Sequence, residues 1–160
     1  MEKGGFSVRE VVEQAVRTEK LGYDFYSSMA ERFKDRVELR DLFETLAKKE
    51  QIHEERFKKL EESVSDEEPE GWEDVSEYMR AFVESGLFLG TDKALSRMKE
   101  IQSVQDAVEF ALAFEKETLL YFLGLKKAVA DMEKGIVDAI IDEEQSHIAW
   151  LNRFKDRFLK

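Results

Sequence analysis

The sequence predicts an all-α fold: four long helices arranged as two helical hairpins joined by a long crossover. Three observations lead there. The 160 residues include one proline and eight glycines, with 42% apolar and 38% charged side chains, the balance of a helical protein with little turn chemistry. Four long stretches repeat apolar residues in alternating steps of three and four, the period of a helix buried along one face. The stretches also form two related pairs. Ala15-x-x-x-Glu19-Lys20 returns as Ala111-x-x-x-Glu115-Lys116 and Phe25-Tyr26 as Tyr121-Phe122, both 96 positions later. Glu50-Gln51-x-His53 returns as Glu144-Gln145-x-His147, 94 positions later. The length suits a single domain over residues 1–160 with a substantial core.

The first helix is expected over about 7–33. Ser7 and Glu10 fit a capping box, and Phe6 and Val11 a hydrophobic staple. Its inward stripe is Val8, Val12, Ala15, Glu19, Gly22, Tyr26, Met29 and Phe33, so one charged residue faces the core. Asp35 is placed to cap a second helix over about 36–61, with Glu38 at its third position. So short a connection makes the two helices antiparallel neighbours. The second stripe is Leu39, Phe43, Leu46, Glu50, His53, Phe57 and Leu60.

Residues 62–103 form the expected crossover. Its start is a solvated acidic link, Glu61 to Trp72. Short helices follow at Val75–Glu84 and about Asp92–Glu100, around Gly86 and Gly90. Phe82, Leu87, Phe88, Leu89 and Leu95 are too apolar for a free linker and are expected to pack on the bundle or a second subunit. Ser103 caps a third helix over about 104–130, with stripe Val104, Val108, Ala111, Glu115, Thr118, Phe122, Leu125 and Val129. Asp131 caps a fourth over about 132–158, with Val137, Ile140, Glu144, His147, Leu151, Phe154 and Phe158 inward.

Charge and composition narrow the chemistry. A net charge of −11 argues against nucleic acid or an anionic membrane as partner, and favours cations. No cysteine is present, which excludes disulfides, thiolate metal sites and a thiolate nucleophile. The opening Met1-Glu2-Lys3-Gly4-Gly5 leads into a charged amphipathic segment, so a cytoplasmic setting is expected.

Each helix therefore sets one glutamate inside an apolar stripe, and two of them add a histidine three residues on. Residues i and i+3 share a helix face, so each Glu-x-x-His can aim a carboxylate and an imidazole at one point. Four ionised carboxylates meeting in a core would be very unfavourable alone, costing several kcal/mol per ion. Two divalent cations would balance Glu19, Glu50, Glu115 and Glu144. Carboxylate with imidazole and without thiolate suits iron or manganese. Glu143, Glu117, Glu54 and Glu55 read as solvated face, and Lys49 stands where a counterpart of Glu143 would be. Tyr26 and Tyr121, about two turns from the glutamates, read first as core aromatics with satisfied hydroxyls and, as the alternative, as residues that support the ligands or handle a radical.

With one Glu on each of two helices and Glu-x-x-His on each of the others, the chain resembles the rubrerythrin-like branch of the ferritin-like superfamily. The resemblance covers the four long helices. It implies a ferritin-like four-helix bundle with a left-handed crossover and a centre of two Fe ions, Mn being possible. Glu50 and Glu144 would bridge the metals, Glu19 and Glu115 would be terminal, and His53 and His147 would bind one metal each. It further implies an oxidoreductase that reduces peroxide or dioxygen, and a homodimer. Two departures stand out. Rubrerythrins carry a rubredoxin iron centre on four cysteines, absent here, so a separate electron-donor protein is expected. They usually add a glutamate one turn further along the third helix, where this chain has Thr118. A ferroxidase or iron-handling protein of ferritin type is the alternative, and a purely structural bundle a third reading.

Overall fold

The computed structural model describes residues 6–84 and 93–159. Its helices are α1 Val8–Arg32, α2 Val37–Ser63, α3 Trp72–Glu84, α4 Lys93–Met98, α5 Val104–Leu125 and α6 Asp131–Phe158, with no strand among the described residues. α1 packs along α2 and α5 along α6, and the two hairpins meet through α1–α5 and α2–α6 contacts. The expected bundle of two hairpins is what forms. Among the described residues no helix is long and apolar enough to cross a membrane.

Local chemistry accounts for most of the helix ends. Ser7 Oγ accepts from the Glu10 N–H at 3.1 Å, while Glu10 accepts from the Ser7 N–H at 2.7 Å, the expected capping box. Ser103 caps α5 by accepting from the Asp106 N–H at 3.1 Å. Asp35 does not cap α2. The N-cap is Arg36, which makes no side-chain cap, because the chain turns tightly through the Arg36 N–H to Phe33 carbonyl bond before α2 begins. Asp131 is the first residue of α6 and not its cap, which is Ala130. Helix α5 ends at Leu125, short of residue 130. Bonds from Lys127 N–H to the Gly124 carbonyl and from Ala128 N–H to the Leu125 carbonyl tighten the chain there, reversing it in time for α6.

In the crossover, α3 starts at Trp72, three residues before the expected Val75. Buried Trp72 donates its indole N–H to the Phe6 carbonyl at 3.1 Å, and Ser76 Oγ donates to the same oxygen at 2.9 Å. α3 seats Met79 against Gly124 of α5, where a Cβ would stand 2.3 Å from Met79 Sδ. Phe82 packs on the bundle core as expected, whereas Gly86, Leu87, Phe88, Leu89, Gly90 and the side chain of Leu95 lie outside the described residues.

The core is layered along the bundle. One apolar cluster gathers Phe25 and Met29 of α1, Phe43 and Leu46 of α2, Val108 and Ala111 of α5, and Leu151 and Phe154 of α6. The other gathers Val8 and Val12, Phe57 and Leu60, Phe122 and Leu125, and Val137 and Ile140. On every long helix the buried glutamate falls between the two. The inward stripes of α1, α2, α5 and α6 are buried as their periodicity predicts, apart from their ends: Phe33 and Val104 are half-buried and Phe158 is exposed. A polar belt thus crosses the middle of the bundle between two apolar slabs.

Candidate metal centre

The belt contains Glu19, Glu50, His53, Glu115, Glu144 and His147, each with 0% of its surface exposed. α1 and α5 each supply one glutamate and α2 and α6 a glutamate and a histidine, so all six predicted side chains are brought together. Their donor atoms fall into two groups, each within a 4.8 Å span: Glu19, Glu50, His53 and Glu144, and Glu50, Glu115, Glu144 and His147. Glu50 and Glu144 belong to both. Glu144 reaches the two histidines with different oxygens, Oε1 to His53 Nδ1 at 2.9 Å and Oε2 to His147 Nδ1 at 3.4 Å. His53 Nδ1 is also 3.6 Å from Glu19, and His147 Nδ1 is 3.5 Å from both Glu50 and Glu115. The imidazole rings stack at 5.7 Å with 15° between their planes, and both Nδ1 atoms face the carboxylates.

Electrostatics show what the belt requires. Burial, then the charge of Glu144, pushes the Glu19 and Glu50 carboxyls well above the usual range. Burial and Glu144 likewise push Glu115 up to about 7. Burial alone would raise Glu144 too, but the close Glu115 carboxyl, then the His147 and His53 imidazoles, hold it below the ordinary value. Burial opposes charge on the histidines. The surrounding carboxylates override it, Glu144 first at His53, pushed up to about 9, and Glu115 first at His147, pushed up to about 12. Among the described residues, both Glu19 oxygens, both Glu50 oxygens, Oε2 of Glu115 and of Glu144, and both His147 nitrogens are buried without a hydrogen-bond partner. Buried polar atoms are rarely left so. Lone pairs of hard oxygen and imidazole nitrogen, converging on two points, fit two divalent cations in charge and in donor type.

Neighbouring residues shape the belt. Gly22 leaves room for Glu50: a Cβ there would stand 3.2 Å from both Cγ and Cδ of that side chain. Tyr26 donates its hydroxyl to Glu115 Oε1 at 2.6 Å. Tyr121 faces elsewhere, donating to the Val11 carbonyl at 2.7 Å within the apolar slab. The duplicated pair is swapped in order, Phe25-Tyr26 against Tyr121-Phe122, so the inward position carries a hydroxyl only in the first hairpin. Thr118 is buried on the same face as Glu115, one turn on, and its hydroxyl has no hydrogen-bond partner among the described residues.

Glu143 corrects the reading of a solvated side chain. It is one-third exposed, pairs across the helix interface with His53 Nε2 at 2.5 Å, and lies 3.5 Å from Arg56. Periodicity could not reveal this. Residue 143 lies off the inward stripe, and its role depends on which helix stands beside that flank of α6.

The rubrerythrin family profile matches residues 10–155 of the chain. Among solved structures, a Thermotoga maritima protein assigned as a ferritin-like diiron-carboxylate protein superposes with a TM-score of 0.74 at 21% identity, covering 98% of this chain and 99% of that one. No curated protein matches significantly.

Proposed function

The chain belongs to the rubrerythrin family and has its ferritin-like fold, and from that premise we propose that it is a metal-dependent oxidoreductase. In this reading the belt would hold two Fe ions, with Mn as the other metal the donors suit, and the centre would supply the redox chemistry for reducing peroxide or dioxygen with electrons from a separate donor protein. The observation that carries it is the pair of buried donor groups sharing Glu50 and Glu144. Paired iron would supply two one-electron steps, matching the two electrons that convert a peroxide and two protons into two waters.

The chain's own residues would act as follows. Glu50 and Glu144 would span both metals, Glu19 and Glu115 would close the two ends, and His53 and His147 would offer one Nδ1 each. Tyr26, with its hydroxyl on Glu115, fixes the direction of that carboxylate. The apolar slabs on either side keep bulk water from the carboxylates, which strengthens their attraction for cations. The setting is taken to be cytoplasmic and the protein homodimeric, with exposed Tyr78, Leu120 and Leu123 the apolar surface that supports a dimer.

Anaerobic Fe(II) loading with elemental analysis tests the proposal, wild type beside Glu144→Ala. Two irons per chain, lost in the variant, with peroxide then consumed at the expense of an artificial reductant, is the expected result. A chain that binds no iron, or whose bound iron leaves peroxide and dioxygen untouched, would overturn it. Uptake far beyond two irons would favour iron handling instead.

A further inference from the structure

The two donor groups are related by the internal duplication, but their surroundings are not. Behind His53, Nε2 meets the Glu143 carboxylate, whose other oxygen lies 3.5 Å from Arg56. The position of α2 matching Glu143 is Lys49, of opposite charge. Correspondingly, His147 Nε2 is buried with no protein partner among the described residues, and the Trp150 ring packs beside it with centroids 5.5 Å apart. The outer support of the second group is instead the neutral phenol of Tyr26 on Glu115. In the first group its counterpart position is Phe122, which has no hydroxyl.

We propose that the two metal positions are inequivalent and fill in order, the Glu19–Glu50–His53–Glu144 position first, with Glu143 as the residue that sets the order. This inference rests on the two-metal reading above. The physical reason is direct. An imidazole that gives its outer N–H to a carboxylate is fixed in the tautomer with a free Nδ1 lone pair, and becomes a stronger donor to a cation. Charge-assisted hydrogen bonds are roughly twice as strong as neutral ones. Glu143 also adds a negative charge behind the first position. His147 gains neither advantage at its outer nitrogen, beside which the Trp150 ring packs. Tyr26 steadies Glu115, which belongs only to the second group. Each position therefore has its own positioning residue, Glu143 for the first and Tyr26 for the second.

Calorimetric titration of metal-free protein with Co(II), followed in parallel by visible absorption, separates the steps without relying on turnover. The wild type should bind two ions per chain in two resolved steps. Glu143→Gln keeps the shape and removes the charge; it should weaken the first step by about 10- to 100-fold and leave the second nearly unchanged. Tyr26→Phe should move the second step alone, which keeps the test alive if the Glu143 variant folds poorly by circular dichroism. Two indistinguishable wild-type steps, or a Glu143→Gln effect spread equally over both, would overturn the ordering while leaving the two-metal reading standing. Fewer than two ions bound by the wild type would overturn that reading itself.

Discussion

At Gly22 a methyl group would stand 3.1 Å from Phe114 Cε1 and 3.2 Å from the Glu50 Cγ and Cδ atoms. These contacts are tight, and one neighbour is the carboxylate common to both donor groups. Gly22→Ala should therefore displace Glu50 and weaken both metal-binding steps, by about tenfold or more, in contrast to the selective effect of Glu143→Gln. Unchanged affinity at both steps would show that Glu50 has freedom to move. The six buried ligand candidates were readable from spacing alone, because a charged residue in an apolar stripe exposes itself by breaking the pattern. Residues that act on a ligand from outside the stripe were not. Glu143 needed the α2–α6 neighbourhood, and Tyr26 could be told from Tyr121 only by the direction of each hydroxyl.

At the scale of the helix, stripes and two of the caps were legible, and the remaining boundaries were decided by the turns between helices. Ser7 and Ser103 cap as their neighbours suggest, whereas Asp35 loses its place because the α1–α2 turn continues through Arg36. α6 carries a glycine that serves no visible purpose. Gly135 is exposed within the helix, and a Cβ there would meet nothing within 4 Å. Gly135→Ala should stabilise the protein by about 1 kcal/mol through reduced freedom of the unfolded chain, raising the thermal midpoint by about 2–4 °C. Calorimetric scans of the two proteins side by side decide this, and a lowered midpoint would show that Gly135 fits a contact outside the described residues. α3 was the least legible element. Its start at Trp72 depends on hydrogen bonds to the Phe6 carbonyl, which lies at the far end of the sequence.

For the whole molecule, the polar belt makes stability depend on protons or on metal. In the metal-free protein, burial holds Glu115 at about 7 against an ordinary 4.5, and the carboxylates hold His53 at about 9 against 6.5 despite burial. Both folded values exceed the unfolded ones, so the folded chain binds more protons between those limits. Its stability should fall as pH rises through the window from about 4.5 to 9. Glu144, held low, slopes the other way only below its ordinary 4.5. Denaturation of metal-free protein should therefore come at lower urea concentration at about pH 8.5 than at about pH 6, and metal loading should reverse the order because ligands must shed protons to bind. A metal-free protein that strengthens with pH in this range would contradict the buried arrangement. The bundle and the two short crossover helices were legible from duplication and periodicity, while the seat of α3 was not, since it rests on contacts such as Met79 with Gly124 that no local pattern records.

Each donor group draws on both hairpins: Glu144 joins the residues of α1 and α2, and Glu50 joins those of α5 and α6. Bound ions would thus tie together points as distant in the chain as His53 and Glu144, 91 residues apart. Closing a loop of that size in the denatured chain is worth roughly 4–5 kcal/mol in the chain-entropy account of cross-links. In a sequence without cysteine, the centre doubles as a fastener between the hairpins, opened by a chelator or by acid where a disulfide would need a reductant.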